Sequence, residues 1–376
     1  MGNKYTVAAP AIRKSLFAAA ALSLLAGGAC AQASVPIVGI IDAGLLSQSK
    51  SVAGGSLHRL ETSGLRQSVW GIKGSEDVGS GLKVFFNLES HFDTDTGALH
   101  GTGDASGSGT ILFRRQANVG IASNDYGTII LGRQYGPALL AHLGTEPRAF
   151  KEQFSNLYAW AYDQLEAFAG PGTRNTNNDV GIFMKNAVQY RNTLGPVNFG
   201  VLYSFGEQSG NLSNNSVFAI GGSYTGPVIL SASYEFMKDA VTGNKNIEHT
   251  GLGIAFPYGD FTFKANYLMA ENSGADGVRT GKIDSLGLGM DWRWHPANNF
   301  TVAYYDNKDK DHPSDHTRNL VLSNDYSLSK RTTLYAQLAY VDAKEGATFR
   351  TTIVADGNTP GGAKTTLINL GINHTF

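Results

Sequence analysis

The chain has 376 residues with 46 glycines, 16 tyrosines, 19 phenylalanines and a single cysteine, and its 30 basic residues are balanced by 31 acidic ones for a formal net charge of −1. That balance gives no support to a nucleic-acid binder, which would need a basic surface. The lone cysteine excludes a disulfide scaffold.

The first element is a leader. Lys4, Arg13 and Lys14 precede the apolar run SLFAAAALSLLAG, which gives way to the small-residue stretch GGACAQA. This is the pattern of a cleaved secretory signal rather than of a membrane anchor. Two A-x-A sites overlap, Ala29-Cys30-Ala31 and Ala31-Gln32-Ala33, so residues 1–31 form the signal peptide, with 33 as the alternative end. Either cut removes Cys30. A lipoprotein reading would retain it, but Gly27 stands where such signals carry leucine. Loss of the leader's three cations leaves 27 basic against 31 acidic residues, a mature net charge of −4.

No later segment offers the roughly 18 consecutive apolar residues of a membrane-spanning helix. Residues 32–376 instead repeat one unit: an alternating run of eight to twelve residues, a very short turn, a second such run and a longer polar loop. Sixteen runs are expected, at about 35–45, 64–74, 82–92, 111–122, 128–135, 186–193, 196–206, 216–224, 228–237, 246–256, 261–270, 282–294, 300–307, 317–328, 332–342 and 365–376. Short turns such as EDVGSG (76–81), PYGD (257–260) and LSKR (328–331) alternate with long connections such as 93–109, 271–281 and 307–317. Strict alternation places all short turns at one end of the sheet and all long loops at the other.

Within the runs one face is apolar and the other polar or small. Val197, Phe199, Val201, Tyr203 and Phe205 oppose Asn198, Gly200, Leu202 and Ser204, and Leu286 to Trp294 repeat the pattern. The last strand does the same, with Ile368, Leu370, Ile372, His374 and Phe376 on one face. The second face carries Gly, Ser and Asn rather than the Lys and Glu of a soluble surface. A secreted chain of this kind is expected to be a closed, antiparallel, all-β transmembrane barrel with lipid outside and water inside. Aromatics at the strand ends, among them Tyr224, Phe256, Tyr258, Phe261, Trp292 and Trp294, match interfacial girdles. One stretch breaks the meander. Residues 136–178 have apolar spacing nearer helical than extended, at Leu139, Leu140, Leu143, Phe150, Phe154, Leu157 and Trp160, and the simplest place to bury them is inside the barrel.

Taken together, IVGIIDAGL, SVWGIKGSEDVGSGLKVFFNLES, RRQANVGI, YGTIILGRQYGP and YSLSKRTTLYAQLAY, with the terminal Phe376, resemble the general porins of Gram-negative outer membranes, in particular their β-proteobacterial branch. The resemblance covers essentially the whole mature chain. It implies a homotrimer of sixteen-stranded barrels in the outer membrane, in contact with lipid and lipopolysaccharide, passing small hydrophilic solutes and ions without a cofactor. It further implies a third outer loop, here 136–178, folded into the lumen opposite arginines on the wall. Phe376 then resembles the signal read by the barrel-assembly machinery.

Alternation turns Lys73, Lys83 and Arg191 inward as basic wall candidates. Arg133 shares parity with outward Ile129 and Leu131, so it needs a bulge at Gly132 to reach the wall position that the resemblance implies. Val69 stands where the family carries a second-strand arginine, and Arg66 is the nearest substitute. On the loop, Glu146 and Glu152 are the acidic constriction candidates; Asp163 and Glu166 are also available, and Arg148 and Lys151 lie close by in sequence.

Rival functions lack their residues. His91 and His249 read as isolated, no G-x-S-x-G elbow occurs, and GTGDASGSG lacks the lysine and helix of a phosphate loop. His312, Asp315 and His316 could ligate a metal but sit in a charged outer loop, so no metal site is expected. The expectation is a passive channel, not an enzyme, with a substrate-specific channel as the alternative.

Overall fold

The computed structural model describes residues 35–100, 111–157, 159–160, 175–179, 181–349 and 360–376. The leader, GTGDASGSG, Asp163 and Glu166 lie outside the described residues. The strands are β1 (Ile37–Gln48), β2 (Leu57–Thr62), β3 (Val69–Gly79), β4 (Leu82–His91), β5 (Gln116–Ser123), β6 (Gly127–Tyr135), β7 (Asn178–Asp179), β8 (Phe183–Met184), β9 (Ala187–Leu194) and β10 (Val197–Ser204). They continue as β11 (Val217–Thr225), β12 (Ile229–Lys238), β13 (Lys245–Tyr258), β14 (Phe261–Ser273), β15 (Arg279–His295), β16 (Asn298–Asp309), β17 (His316–Ser327), β18 (Thr332–Ala343) and β19 (Lys364–Thr375). β2 and β3 pair in turn with β1, and β8 and β9 in turn with β6, so each couple makes one wall strand. With β7 confined to a small hairpin against β8, the wall has sixteen antiparallel strands.

Closure comes from β1 and β19, paired from Ile40↔Thr375 to Gln48↔Leu367. The seam ends on Phe376, whose N–H donates to Gly39 O at 3.0 Å and whose carbonyl accepts from Gly39 N at 3.1 Å. A Cβ on Gly39 would meet the Phe376 ring, so glycine is what lets the ring lie there. Among the described residues no strand of the wall has an open edge, which satisfies the backbone within hydrocarbon. No helix among the described residues is long and apolar enough to cross a membrane.

Faces alternate as the sequence pattern requires. Ile368, Leu370, Ile372 and Phe376 are exposed on the outside, while Leu367 and Asn369 are fully buried within. The same holds for outward Leu230, Leu252 and Leu288 against inward Ser231, Gly251 and Gly287.

Two departures from the expected strands matter. The second strand is not continuous over 64–74; residues 63–68 leave the ladder between β2 and β3. The cause is Asp42 of β1, whose carboxylate accepts the N–H groups of Gly64 (2.8 Å), Leu65 (3.0 Å) and Arg66 (3.1 Å). Ser63 takes a left-handed φ of 61° to start the excursion. The second departure is that, among the described residues, the helical spacing after residue 136 yields just α1 (Pro137–Ala141) and a helical turn at Leu157, Ala159 and Trp160, where Trp160 N–H donates to Asn156 O at 3.1 Å. The other described residues up to Asn156 form turns and bends, and Leu143 is exposed rather than packed.

The apolar core is formed between this segment and the inner wall. Leu139, Phe150, Leu157 and Trp160 pack with Leu268 and Ala270 of β14, and Phe154 packs with Leu46, Ala303, Tyr305, Val321 and Ala339. All these wall residues are on the face opposite the exposed apolar one.

Candidate functional site

Residues 137–157 cross the inner wall along a track of glycines. A Cβ at Gly221 would lie 2.1 Å from Pro137 O, one at Gly251 2.2 Å from His142 Nε2, one at Gly253 2.2 Å from Thr145 Oγ1, and one at Gly289 2.6 Å from Pro147 Cβ. The small residues of the polar face therefore mark where the segment lies against strands β11 to β15.

Polar side chains fasten it there. His142 is fully buried, with Nδ1 2.7 Å from Ser231 Oγ and Nε2 2.8 Å from Ser233 Oγ. Burial pushes its pKa down to about 4, so the ring is neutral. Glu146, 0 % exposed, accepts the Tyr305 hydroxyl at 2.7 Å on one oxygen and the N–H groups of Arg148 and Phe150, each at 2.7 Å, on the other. It is thus a buried fastening and not a carboxylate facing open lumen, because its oxygens are consumed by its own turn and by β16. Lys151 Nζ bridges to Asp325 of β17 at 2.6 Å, and Asn369 donates to Gln153 Oε1 at 2.5 Å.

Between this segment and the wall lies a cavity of about 570 Å³ that opens toward the short turns at Pro296–Ala297 and Lys330–Arg331. Its charged lining comprises Arg66, Arg115, Arg148, Lys151, Arg293, Lys330 and Arg331 against only Glu152 and Asp325. Arg66 is exposed here because the 63–68 excursion carries it off the wall. Glu152 lies beside that excursion, its N–H donating to Leu65 O at 3.2 Å and its carboxylate accepting from Gln67 at 3.4 Å.

The other basic candidates are spread out. Lys73 faces inward and pairs with Glu89 at 2.8 Å. Arg191 lines a second cavity, of about 390 Å³, beneath α1, with its guanidinium on Tyr135 O at 3.2 Å and on Gln189. Gly132 has a φ of +110°, and beyond it Arg133 is buried on the inner side, bonded to Asp179 and to Arg114 O. Arg114 holds the same carboxylate with two bonds of 2.8 Å. Arg133 is therefore charge-compensated rather than open to the lumen. Lys83 is exposed beside the short turn, across from Asp77, and does not line the cavity.

Other sequence readings are corrected by contacts across the sheet. His249 is not isolated; its Nδ1 lies 3.0 Å from Glu235 Oε1. His91 lies with Asp93 and His100, ligand atoms within 4.8 Å of one another. By contrast His312, Asp315 and His316 are engaged separately, by Asp309, Thr348 and Asp306. Asp42, Asp179, Arg115 and Tyr305 went unnoticed in the sequence. Only Arg115 carried a usable signal, its place just before the strand QANVGIAS.

The chain matches the Gram-negative porin family over residues 18–346. It is 30% identical to outer membrane porin protein 32 of Delftia acidovorans, with 97% of this chain and 100% of that protein aligned. The chain belongs to the Gram-negative porins. Another porin, an outer membrane porin protein of Bordetella pertussis, is 28% identical over 97% of this chain and 100% of its own length. Among solved structures, an anion-selective porin from Comamonas acidovorans superposes with a TM-score of 0.76 at 27% identity, covering 92% of this chain and 100% of that one. This porin is accordingly an outer-membrane channel protein, and its β-proteobacterial relatives are of the branch that its sequence resembles.

Proposed function

We propose that this porin is a passive, size-limited channel for small hydrophilic solutes that favours anions, with residues 136–178 as its constriction loop. The observation that carries the reading is the 570 Å³ cavity, lined by seven cations and two carboxylates in a chain whose mature charge is −4. In a narrow passage with low-dielectric walls such a field is focused, and charge on outer loops more than a Debye length of about 8 Å away contributes little. The anion-selective Comamonas relative supports the same sign.

Within this reading Arg66, Arg115 and Arg293 act on permeating ions, Lys73 and Arg191 contribute a weaker field, and Arg133 with Arg114 holds the wall around Asp179. Among the described loop residues Glu152 is the carboxylate that lines the cavity, while Glu146 serves as the fastening. The chain acts as a homotrimer exported with loss of residues 1–31, and Phe376 serves barrel assembly as well as closing the seam.

It has no catalytic role in this reading. The test is solute flux into liposomes. Rates should fall with size across unrelated uncharged sugars, and small organic anions should outpace cations of equal size. One sugar standing far above others of its size would favour a substrate-specific channel instead.

A further inference from the structure

We propose that His91, Asp93 and His100 form a binding site for a divalent transition cation of borderline softness, such as Zn²⁺, at the base of the loop that follows β4. Backbone geometry brings them together. Phe92 and Leu99 form an antiparallel bridge, and the N–H of His100 donates to His91 O at 3.0 Å, so the two histidines face each other across a short hairpin. Asp93, two residues beyond His91 in extended chain, projects to the same side. The hairpin is closed by Asp93 N to Ala98 O and Gly97 N to Asp93 O, both 2.8 Å.

The side chains are close enough to act as ligands. The two imidazoles stack with centroids 4.1 Å apart and planes 26° from parallel. His100 Nδ1 already contacts Asp93 Oδ1, and the three ligand atoms lie within 4.8 Å of one another. Tetrahedral zinc with bonds of about 2.0–2.1 Å places its ligands roughly 3.3 Å apart, so side-chain rotations suffice to close the set.

The independent sign of a ligand is His91 itself. It is 3 % exposed, and its Nε2 is buried without a hydrogen-bond partner. A buried polar nitrogen left unpaired is destabilising, and a bound cation would remove that cost. Nearby cations do not forbid the site, since their charge is partly offset: Arg114 and Arg133 share the Asp179 carboxylate, and Arg115 shares Glu89 with Lys73. Two imidazoles with one carboxylate select zinc, nickel or copper over calcium and magnesium, which prefer oxygen, and leave a fourth position for water.

The experiment is calorimetric titration of tag-free, detergent-solubilised native oligomer with ZnCl₂, with Co²⁺ absorption as a second readout. One equivalent per chain should bind, producing the visible bands of tetrahedral cobalt, and Ca²⁺ or Mg²⁺ should not compete. His100→Gln, in the half-exposed hairpin, should weaken binding about tenfold or more while heat-resistant oligomer is retained. His91→Gln should do the same. Equal zinc binding by the wild type and His100→Gln, or no zinc binding by the wild type, would overturn the assignment.

Discussion

Replacing Tyr305 with phenylalanine removes one hydroxyl and nothing else from a fully buried site, so its effect isolates the fastening of the inner segment. The Tyr305 hydroxyl donates to Glu146 Oε1 at 2.7 Å, and Glu146 Oε2 in turn holds the N–H groups of Arg148 and Phe150. A hydrogen bond to a charged group is worth about 1.5–3 kcal/mol net. At 1.4 kcal/mol per factor of ten, the variant should raise the open population of the 146–150 turn by roughly ten- to a hundredfold. The barrel itself should be unaffected, because its ladder is independent of this contact. Hydrogen exchange is the direct assay, with Arg148 and Phe150 as reporters. Their amides should lose protection by that factor while amides of β13 and β14 keep theirs. Unchanged protection at both amides would refute the claim that Glu146 is held from the wall.

Further consequences can be measured separately. Gly221→Ala places a methyl 2.1 Å from Pro137 O and should displace α1 and change single-channel conductance, whereas Gly144→Ala, whose nearest neighbour would be Ile229 at 3.5 Å, should conduct like the wild type. His142 is depressed to about 4 from an ordinary 6.5, so the detached form binds more protons between those values. Anchoring is then complete above about pH 6.5 and weakens by about 1.4 kcal/mol per unit as pH falls toward 4, which pH-dependent current noise should report and His142→Gln should flatten. Deleting Phe376, which closes the seam against Gly39, should lower the yield of assembled oligomer with transcript unchanged.

The period of two made the wall legible, because a strand with lipid on one side and water on the other must alternate. Strand ends fell within a few residues wherever a short turn followed. The second strand misled because its interruption depends on Asp42, some two dozen residues away, capturing three amides. Sites were harder for the same reason. Arg133 and Asp179 are 46 residues apart, and Glu146 and Tyr305 are 159 apart, so no local pattern separates a compensated charge from an open one. The glycines of the inner face were visible as composition, but their meaning as a track for the inner segment needed coordinates. His91, Asp93 and His100 are close in sequence, but only the Phe92–Leu99 bridge, which no hairpin-turn dipeptide in DTDTGALH announces, brings them to one side.

The central claim, that the cations around the 570 Å³ cavity govern permeation, is tested most directly by the zero-current potential across a planar bilayer holding a salt gradient. The wild type should show anion preference although the chain as a whole carries a formal charge of −1, the preference should shrink as salt is raised, and Arg66→Gln with Arg115→Gln should move the potential toward cations. A cation-selective wild type, or a double variant with wild-type potential, would contradict the account.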